Sequence, residues 1–252
     1  MITTLRRIIF LGALIGTWEV IYRLGIWPPY MFPSPVDVSQ TLIRGFQDGT
    51  FIIALQASFQ RLLIGYGLAI AIGVFLGVSI AKSKIINETI GMLVIGLQSV
   101  PSIVWLPLAL LWFGMSETAI IFVVTLGGTW TMTTNTAAGI RNVQPVLIRA
   151  ARTMGASDWQ LFLKVTLPAS VPYLITGMRL AWAFAWRALM AGELIGSGKG
   201  LGQILTFGRD VGNMNLVFSI MIIIAVIGMI LDNLVFQRVE KNVLTRWGLA
   251  KT

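Results

Sequence analysis

The sequence predicts an all-α integral membrane protein: six transmembrane helices, with a cytoplasmic helix-turn-helix between the fourth and fifth spans. Three observations predict it. The chain is 56% hydrophobic and only 12% charged, apolar runs recur at lengths that cross a bilayer, and lysines and arginines gather at alternate ends of those runs. The absence of cysteine and histidine removes disulfides, thiolate metal sites and the commonest general base. No metal site and no catalytic residue are therefore expected. The net charge of +9 is expected on cytoplasmic loops rather than on a nucleic-acid surface.

Arg6 and Arg7 precede IIFLGALIGTWEVIYRLGIW, about 30 Å of helix and enough to span. This run exceeds a signal-peptide h-region and no small-x-small cleavage site follows it. Trp18, Trp27 and Tyr30 are expected as interfacial anchors, and mid-span Glu19 should face protein. In FPSPVDVSQTLIRGF, Ser34 as N-cap, Pro35 in the first turn and Asp37 form a helix start. Val36, Ile43 and Phe46 on one side, with Asp37, Gln40 and Arg44 on another, predict an amphipathic helix on the outer surface.

Residues 51–81 form the second span, in which Gly73 and Gly77 permit close helix approach. Lys82 and Lys84 mark the return to the cytoplasm. Pro101 and Pro107 should interrupt the third span, 88–113, twice; such a helix is either a pathway wall or a packing kink. Glu117 falls in a short external loop, and the fourth span, 118–138, ends in hydroxyl-rich WTMTTNT before Arg141. The fifth span, 169–195, contains Arg179, Arg187 and Glu193. A glycine-rich outer loop leads to the sixth span, 215–236, after which Arg238, Glu240, Lys241, Arg246 and Lys251 lie at the cytoplasmic face with Asp232.

Between the fourth and fifth spans, Val146, Leu147, Ala150 and Met154 share one helical face while Arg149 and Arg152 project elsewhere. Gly155 supplies a turn, Ser157 with Gln160 makes a capping box, Trp159, Phe162 and Leu163 form an apolar side, and Pro168 opens the next span. The physics leaves two readings open, helices lying on lipid headgroups or helices docking a partner.

Arg149-Ala150-Ala151, then Gly155, then, after nine intervening residues, Val165-x-Leu167-Pro168, resembles the EAA loop of ATP-binding-cassette importer permeases. Arg149 stands where that family usually has Glu. FPSP, SVPSIVWLPLALLWFG, LPASVPYLITGMRLAWAFAWRALMAGELIGSGKGLG and LVFQRVEKNVLTRWG extend the resemblance, nearly chain-long, to permeases of the nitrate, sulfonate, taurine and bicarbonate group. It implies a type I importer permease core over 57–245, with its coupling loop at 143–168, after an N-terminal span and outer helix (1–56) and before a tail (246–252). It implies Arg149, Ala150, Ala151, Met154, Gly155, Ala156, Ser157, Trp159, Leu167 and Pro168 as ATPase-coupling residues. Two permease copies, two ATPase subunits and an extracytoplasmic binding protein are the implied partners in a bacterial inner membrane, with both termini cytoplasmic. ATP and Mg would enter through the ATPase, with no cofactor on this chain.

GSGKG at 196–200 fails as a phosphate loop: Glu193 and Gly200 stand where glycine and Ser or Thr belong. It is expected either as an outer loop that meets the binding protein or as a plain connector. Arg187 is the candidate cargo contact, with Glu193, Trp105, Trp182 and Trp186 as further candidates for the pathway. Pairing of Arg187 with Glu193 of a neighbouring helix, or of Arg179 with Glu19, is the competing role. A permease of this fold for an uncharged vitamin or pyrimidine precursor is the alternative function. An ion-coupled secondary transporter and an intramembrane enzyme are the rivals from other classes, neither with the carboxylates, repeats or acidic cluster it would need.

Overall fold

The computed structural model describes residues 2–196 and 198–247; Ser197, the Arg246 side chain, Lys251 and the tail beyond Trp247 lie outside the described residues. The helices run in the order α1 (Ile2–Arg23), α2 (Pro35–Gln47), α3 (Thr50–Lys82), α4 (Lys84–Gln98), α5 (Ser102–Phe113), α6 (Glu117–Arg141), α7 (Pro145–Thr153), α8 (Asp158–Ile195), α9 (Leu201–Asp210) and α10 (Met214–Thr245). Each expected span is a helix or a helical pair. By length and composition α3, α8 and α10 suffice to cross a membrane, and α4 with α5 does so as one bent pair. Arg6, Arg7, Glu19 and Arg23 lower α1, and threonine, glycine and asparagine lower α6. The helices divide between two compact units, 1–58 with 198–226 and 59–197 with 227–252.

In the first unit, the Asp37 N–H donates to the Ser34 hydroxyl at 3.0 Å and Pro35 fills the first turn of α2, the start that the sequence predicts. Val38 and Gly45 form the buried side of α2, and Phe51 lies so close to Gly45 that a Cβ there would overlap the ring. Val36, Ile43 and Phe46 are left exposed, as befits a helix resting on lipid. Trp18 packs within the unit. Its ring is 5.7 Å from that of Phe218 and its Nε1 donates to the Pro33 carbonyl at 3.0 Å. Glu19 pairs with Arg23 one turn on. The glycine-rich stretch is not loop throughout, because it contains α9. That helix has no side-chain cap of its own; the hydroxyl of Ser58 in α3 accepts from the Leu201 N–H at 3.0 Å, satisfying an orphan donor.

The second unit is organised along α6. Gly65, Ala69, Gly73 and Gly77 of α3, four residues apart, face Val124, Gly128, Met132 and Thr136, also four apart. The constant offset makes the two helices parallel. In contrast α8 packs antiparallel, since Gly139 meets Ser170 and Tyr173, Gly177 meets Asn135, and Gly192 meets Ile120. Small residues allow this approach where lipid supplies no hydrophobic drive between helices. Enclosed in this way, α6 has no need to be apolar. The hydroxyls of Thr125, Thr129 and Thr133 donate to carbonyls four residues back at 2.7–2.8 Å, satisfying themselves within the helix.

Parallel packing also decides the role of the bent pair. Arg141 Nη2 donates to the Ile80 carbonyl at 2.7 Å, so the end of α3 lies beside the end of α6. The α4–α5 pair must then carry the chain back to Glu117, roughly 36 Å along α6 at 1.5 Å per residue, which is a return crossing and not a re-entrant loop. It does so with a single bend of 100°. The second interruption expected at Pro107 is missing, because Pro107 lies in the first α-helical turn after a 3-10 turn at Ser102–Trp105. There its absent N–H breaks nothing.

Gly73→Val or Gly77→Val should lower thermal stability in detergent by about 1–3 kcal/mol through overpacking, since a Cβ at either position would approach Met132 or Thr136 within 2.6 Å. Gly67→Val, with nothing within 4 Å of its added Cβ, should be tolerated.

Candidate functional site

The connection between α7 and α8 has the geometry its spacing predicts. Gly155 adopts φ of +81°, its N–H donates to the Arg152 carbonyl at 3.0 Å, and the Ala156 N–H donates to the Ala151 carbonyl at 3.1 Å. This is a Schellman turn, which glycine closes without strain. The Gln160 N–H then donates to the Ser157 hydroxyl while the Ser157 N–H donates to Gln160 Oε1 at 3.1 Å, completing the capping box. What the sequence misplaces is the length of the second helix. The sequence suggests a short helix ending before Pro168, but α8 runs from Asp158 to Ile195 through a π-turn at Phe162–Thr166. The wider turn lies where Pro168 withdraws a donor from the Lys164 carbonyl.

Among the candidate coupling residues Ala151 is buried, Ala156 and Leu167 are half-buried, and Arg149, Ala150, Met154, Gly155, Ser157, Trp159 and Pro168 are exposed. Met154 is 81% and Trp159 67% exposed, next to exposed Val146, Leu147 and Leu163. Large apolar side chains displayed on a polar turn mark a contact surface. Arg152 reaches Asp158 at 3.7 Å across the turn, whereas the Arg149 side chain makes no hydrogen bond or ion pair among the described residues. Lys82 Nζ stands 3.4 Å from the centroid of the Phe162 ring, tying the end of α3 to the base of α8.

Farther along, α8 presents two faces. On the packed face Arg179 binds Asp232 at 2.8 Å through both Nε and Nη2 and Glu240 through Nη1 at 2.6 Å. Thr176 also donates to Glu240, at 2.8 Å. Trp182 packs between Tyr66 and Phe236, ring centroids 5.2 Å away in each case, and Trp186 lies against Phe59. Glu193, fully buried, accepts from Arg61 Nη1 at 2.9 Å; Arg61, 1% exposed, also donates from Nη2 to Glu117 at 2.9 Å. Glu193 is thus committed to Arg61 rather than to Arg187, and Arg179 to Asp232 and Glu240 rather than to Glu19. Glu117 opens α6 instead of balancing charge in a loop. Arg61 escapes the sequence reading altogether, although one arginine inside a 33-residue apolar helix is itself the signal for a paired intramembrane charge.

The other face bears Arg187. It is exposed, its guanidinium carbon is 5.4 Å from the Phe184 ring centroid, and among the described residues it forms no ion pair. Phe184 in turn lines a recess at the α4–α5 bend with Gln98, Pro101, Ser102, Gly127 and Trp130. The five pathway candidates therefore separate. Arg187 lies beside the bend, Trp182, Trp186 and Glu193 are in the interior, and Trp105 in the 3-10 turn keeps a buried Nε1 with no acceptor among the described residues.

Residues 69–245 match the family described as binding-protein-dependent transport system inner membrane component. A Bacillus subtilis protein that carries the name aliphatic sulfonates transport permease SsuC is 33% identical over 240 residues, 94% of this chain and 85% of its own length. The taurine transport system permease TauC of Escherichia coli is 29% identical over 94% of this chain and 87% of its own. A nitrate import permease, NrtB of Leptolyngbya laminosa, is 34% identical over 72% of this chain and 65% of its own. In fold, the chain is similar to the MetNI methionine ABC transporter in inward-facing conformations, with a TM-score of 0.67 at 21% identity, covering 76% of this chain and 95% of that one.

Glu193→Gln should lower stability by about 3–5 kcal/mol, because breaking a buried pair leaves Arg61 under-compensated. Glu117→Gln should cost about 0–1 kcal/mol, since that carboxylate is 61% exposed. Thermal unfolding of the purified complex in detergent measures both, and equal losses would contradict the assigned burial.

Proposed function

The chain belongs to the family of binding-protein-dependent transport system inner membrane components, and from that premise we propose that it imports a small anion, of the nitrate, bicarbonate, taurine or alkanesulfonate class. Its family is the permease component of ABC transporters, so the chain is a multi-pass transport subunit, not an enzyme, and works with ATPase and substrate-binding partners. We propose that two copies pair, that the six helical segments cross the inner membrane with both termini cytoplasmic, and that residues 143–168 dock one of two ATPase subunits. The ATPase then holds ATP and Mg, while this chain binds no cofactor of its own.

The observation that carries the reading is mechanical. The exposed turn at Met154–Trp159 leads into α8, which continues through its π-turn and past Pro172 to Arg187 some 30 residues later, so a displacement at the docking turn reaches the α4–α5 bend without crossing a loop. A rigid rod between an ATPase site and a pathway suits alternation between two packed states. The cargo class rests on relatives whose names specify sulfonates, taurine and nitrate, and on the exposed guanidinium of Arg187, which needs an anion or water where lipid would be costly.

Gly155→Val forces a β-branched residue into φ of +81°. We expect it to insert normally in membranes but to lose stimulation of ATP hydrolysis by loaded binding protein in reconstituted vesicles. Full stimulation would overturn the coupling assignment. Arg187→Gln should reduce uptake of the anion at least about tenfold, as loss of a charge-assisted contact implies, with ATPase assembly unchanged on size-exclusion chromatography. Uptake at the wild-type rate would remove Arg187 from the pathway.

A further inference from the structure

The second unit holds a pocket of about 330 Å³ that none of the roles above uses. It lies at the Arg141 end of α6, between that helix and α4, and its polar lining comes from Asn87, Thr133, Thr134, Arg141 and Asn142. Asn87 begins the π-turn at Asn87–Gly91, and its Oδ1 stands 3.0 Å from where a Cβ on Gly91 would be. A side chain at 91 would crowd the amide in that place. Arg141 is fixed through Nη2, which caps one of the final carbonyls of α3 at Ile80. Its Nε and Nη1 make no hydrogen bond among the described residues, and neither do the side-chain amides of Asn87 and Asn142.

The threonine hydroxyls are already committed as donors, Thr133 to the Thr129 carbonyl at 2.8 Å and Thr134 to the Thr131 carbonyl at 3.1 Å. Among the described residues no carboxylate lines the pocket, whose remaining wall is apolar and includes Ile80, Val94 and Ala137. An oriented guanidinium with free N–H groups, two free amides and no competing acid is a recognition set for an oxyanion. We propose that this pocket binds an oxyanion, either a free one from solution or the phosphate of an acidic lipid, beside the end of α6 that leads into α7. The inference is independent of the cargo, because a static binding measurement succeeds or fails whether or not uptake is observed.

The test uses the whole permease–ATPase complex in nanodiscs of phosphatidylcholine, with radiolabelled inorganic sulfate as probe and binding read by scintillation proximity. Saturable binding is expected to the wild type, with affinity at least about tenfold lower in Arg141→Gln and in Asn142→Asp. Arg141→Gln also removes the contact to Ile80, so Asn142→Asp, at an exposed position, tests the site without that loss. Nanodiscs containing phosphatidylglycerol separate the sources. Displacement of sulfate by that lipid, which then copurifies with wild type but not with Asn142→Asp, identifies a headgroup; undiminished sulfate binding identifies a free anion. The proposal is overturned if neither probe binds the wild type saturably, or if all three proteins bind equally.

Discussion

A guanidinium 1% exposed to solvent must find its counter-charge within the protein, and Arg61 finds two, Glu193 at the far end of α8 and Glu117 at the first residue of α6. Much of the second unit depends on that requirement. In a medium without water an unpaired charge costs several kcal/mol, so the buried Arg61–Glu193 pair fixes the depth of α3 and α8 relative to one another, and the exposed Glu117 adds a weaker tie to α6. The small-residue stripe of α3 against α6 serves the same end by other means. Stepping Gly65, Ala69, Gly73 and Gly77 along Val124, Gly128, Met132 and Thr136 brings Arg61 level with the start of α6. Charge sets the register, and close packing holds it.

Helix α8 connects the two ends of this arrangement. Near its start, Lys82 lies over Phe162; in its middle, Arg179 gathers Asp232 and Glu240 from α10; near its end, Glu193 receives Arg61. Every charged anchor on the packed face ties α8 to a different stretch of chain, while Arg187 on the opposite face is tied to none of the described carboxylates. On the pathway role proposed for Arg187, this asymmetry matters for transport. A helix whose packed face is locked by ion pairs moves as a body, and the polar group on its open face then moves relative to whatever faces it. The bend between α4 and α5 supplies a neighbour that is not a continuous helix, lined by Phe184, on which Arg187 rests.

Local chemistry was legible in the sequence, and long-range pairing was not. Ser34-Pro35-x-Asp37, Gly155 and Ser157-x-x-Gln160 each specify a turn or cap through contacts no more than five residues long, and each forms as expected. The limits of helices were harder. Proline signals an interruption, yet Pro107 and Pro168 sit where a 3-10 turn or a π-turn absorbs the missing donor, so the first breaks nothing and the second does not start a new helix. The partner of an intramembrane charge depends on tertiary packing: Arg61 and Glu193 are 132 residues apart, and no local pattern links them. Their presence in apolar runs was visible, and for Arg61 that signal alone was enough to require a partner.

Arg149 follows the same logic in reverse. At the position where the coupling motif usually carries Glu, its side chain is exposed and has no partner among the described residues, although Arg152 one turn-edge away does reach Asp158. None of the described residues of the second unit therefore compensates for the reversal of charge. An exposed, unpaired guanidinium costs this chain little, because water reaches it, so on the proposed docking role its effect falls on whatever meets α7. A carboxylate in that position selects a basic partner surface, and an arginine selects an acidic or carbonyl-rich one. On the docking role proposed for residues 143–168, the substitution bears on the choice of ATPase rather than on the stability of the permease, and a matching change of charge is expected on the ATPase surface that receives this helix.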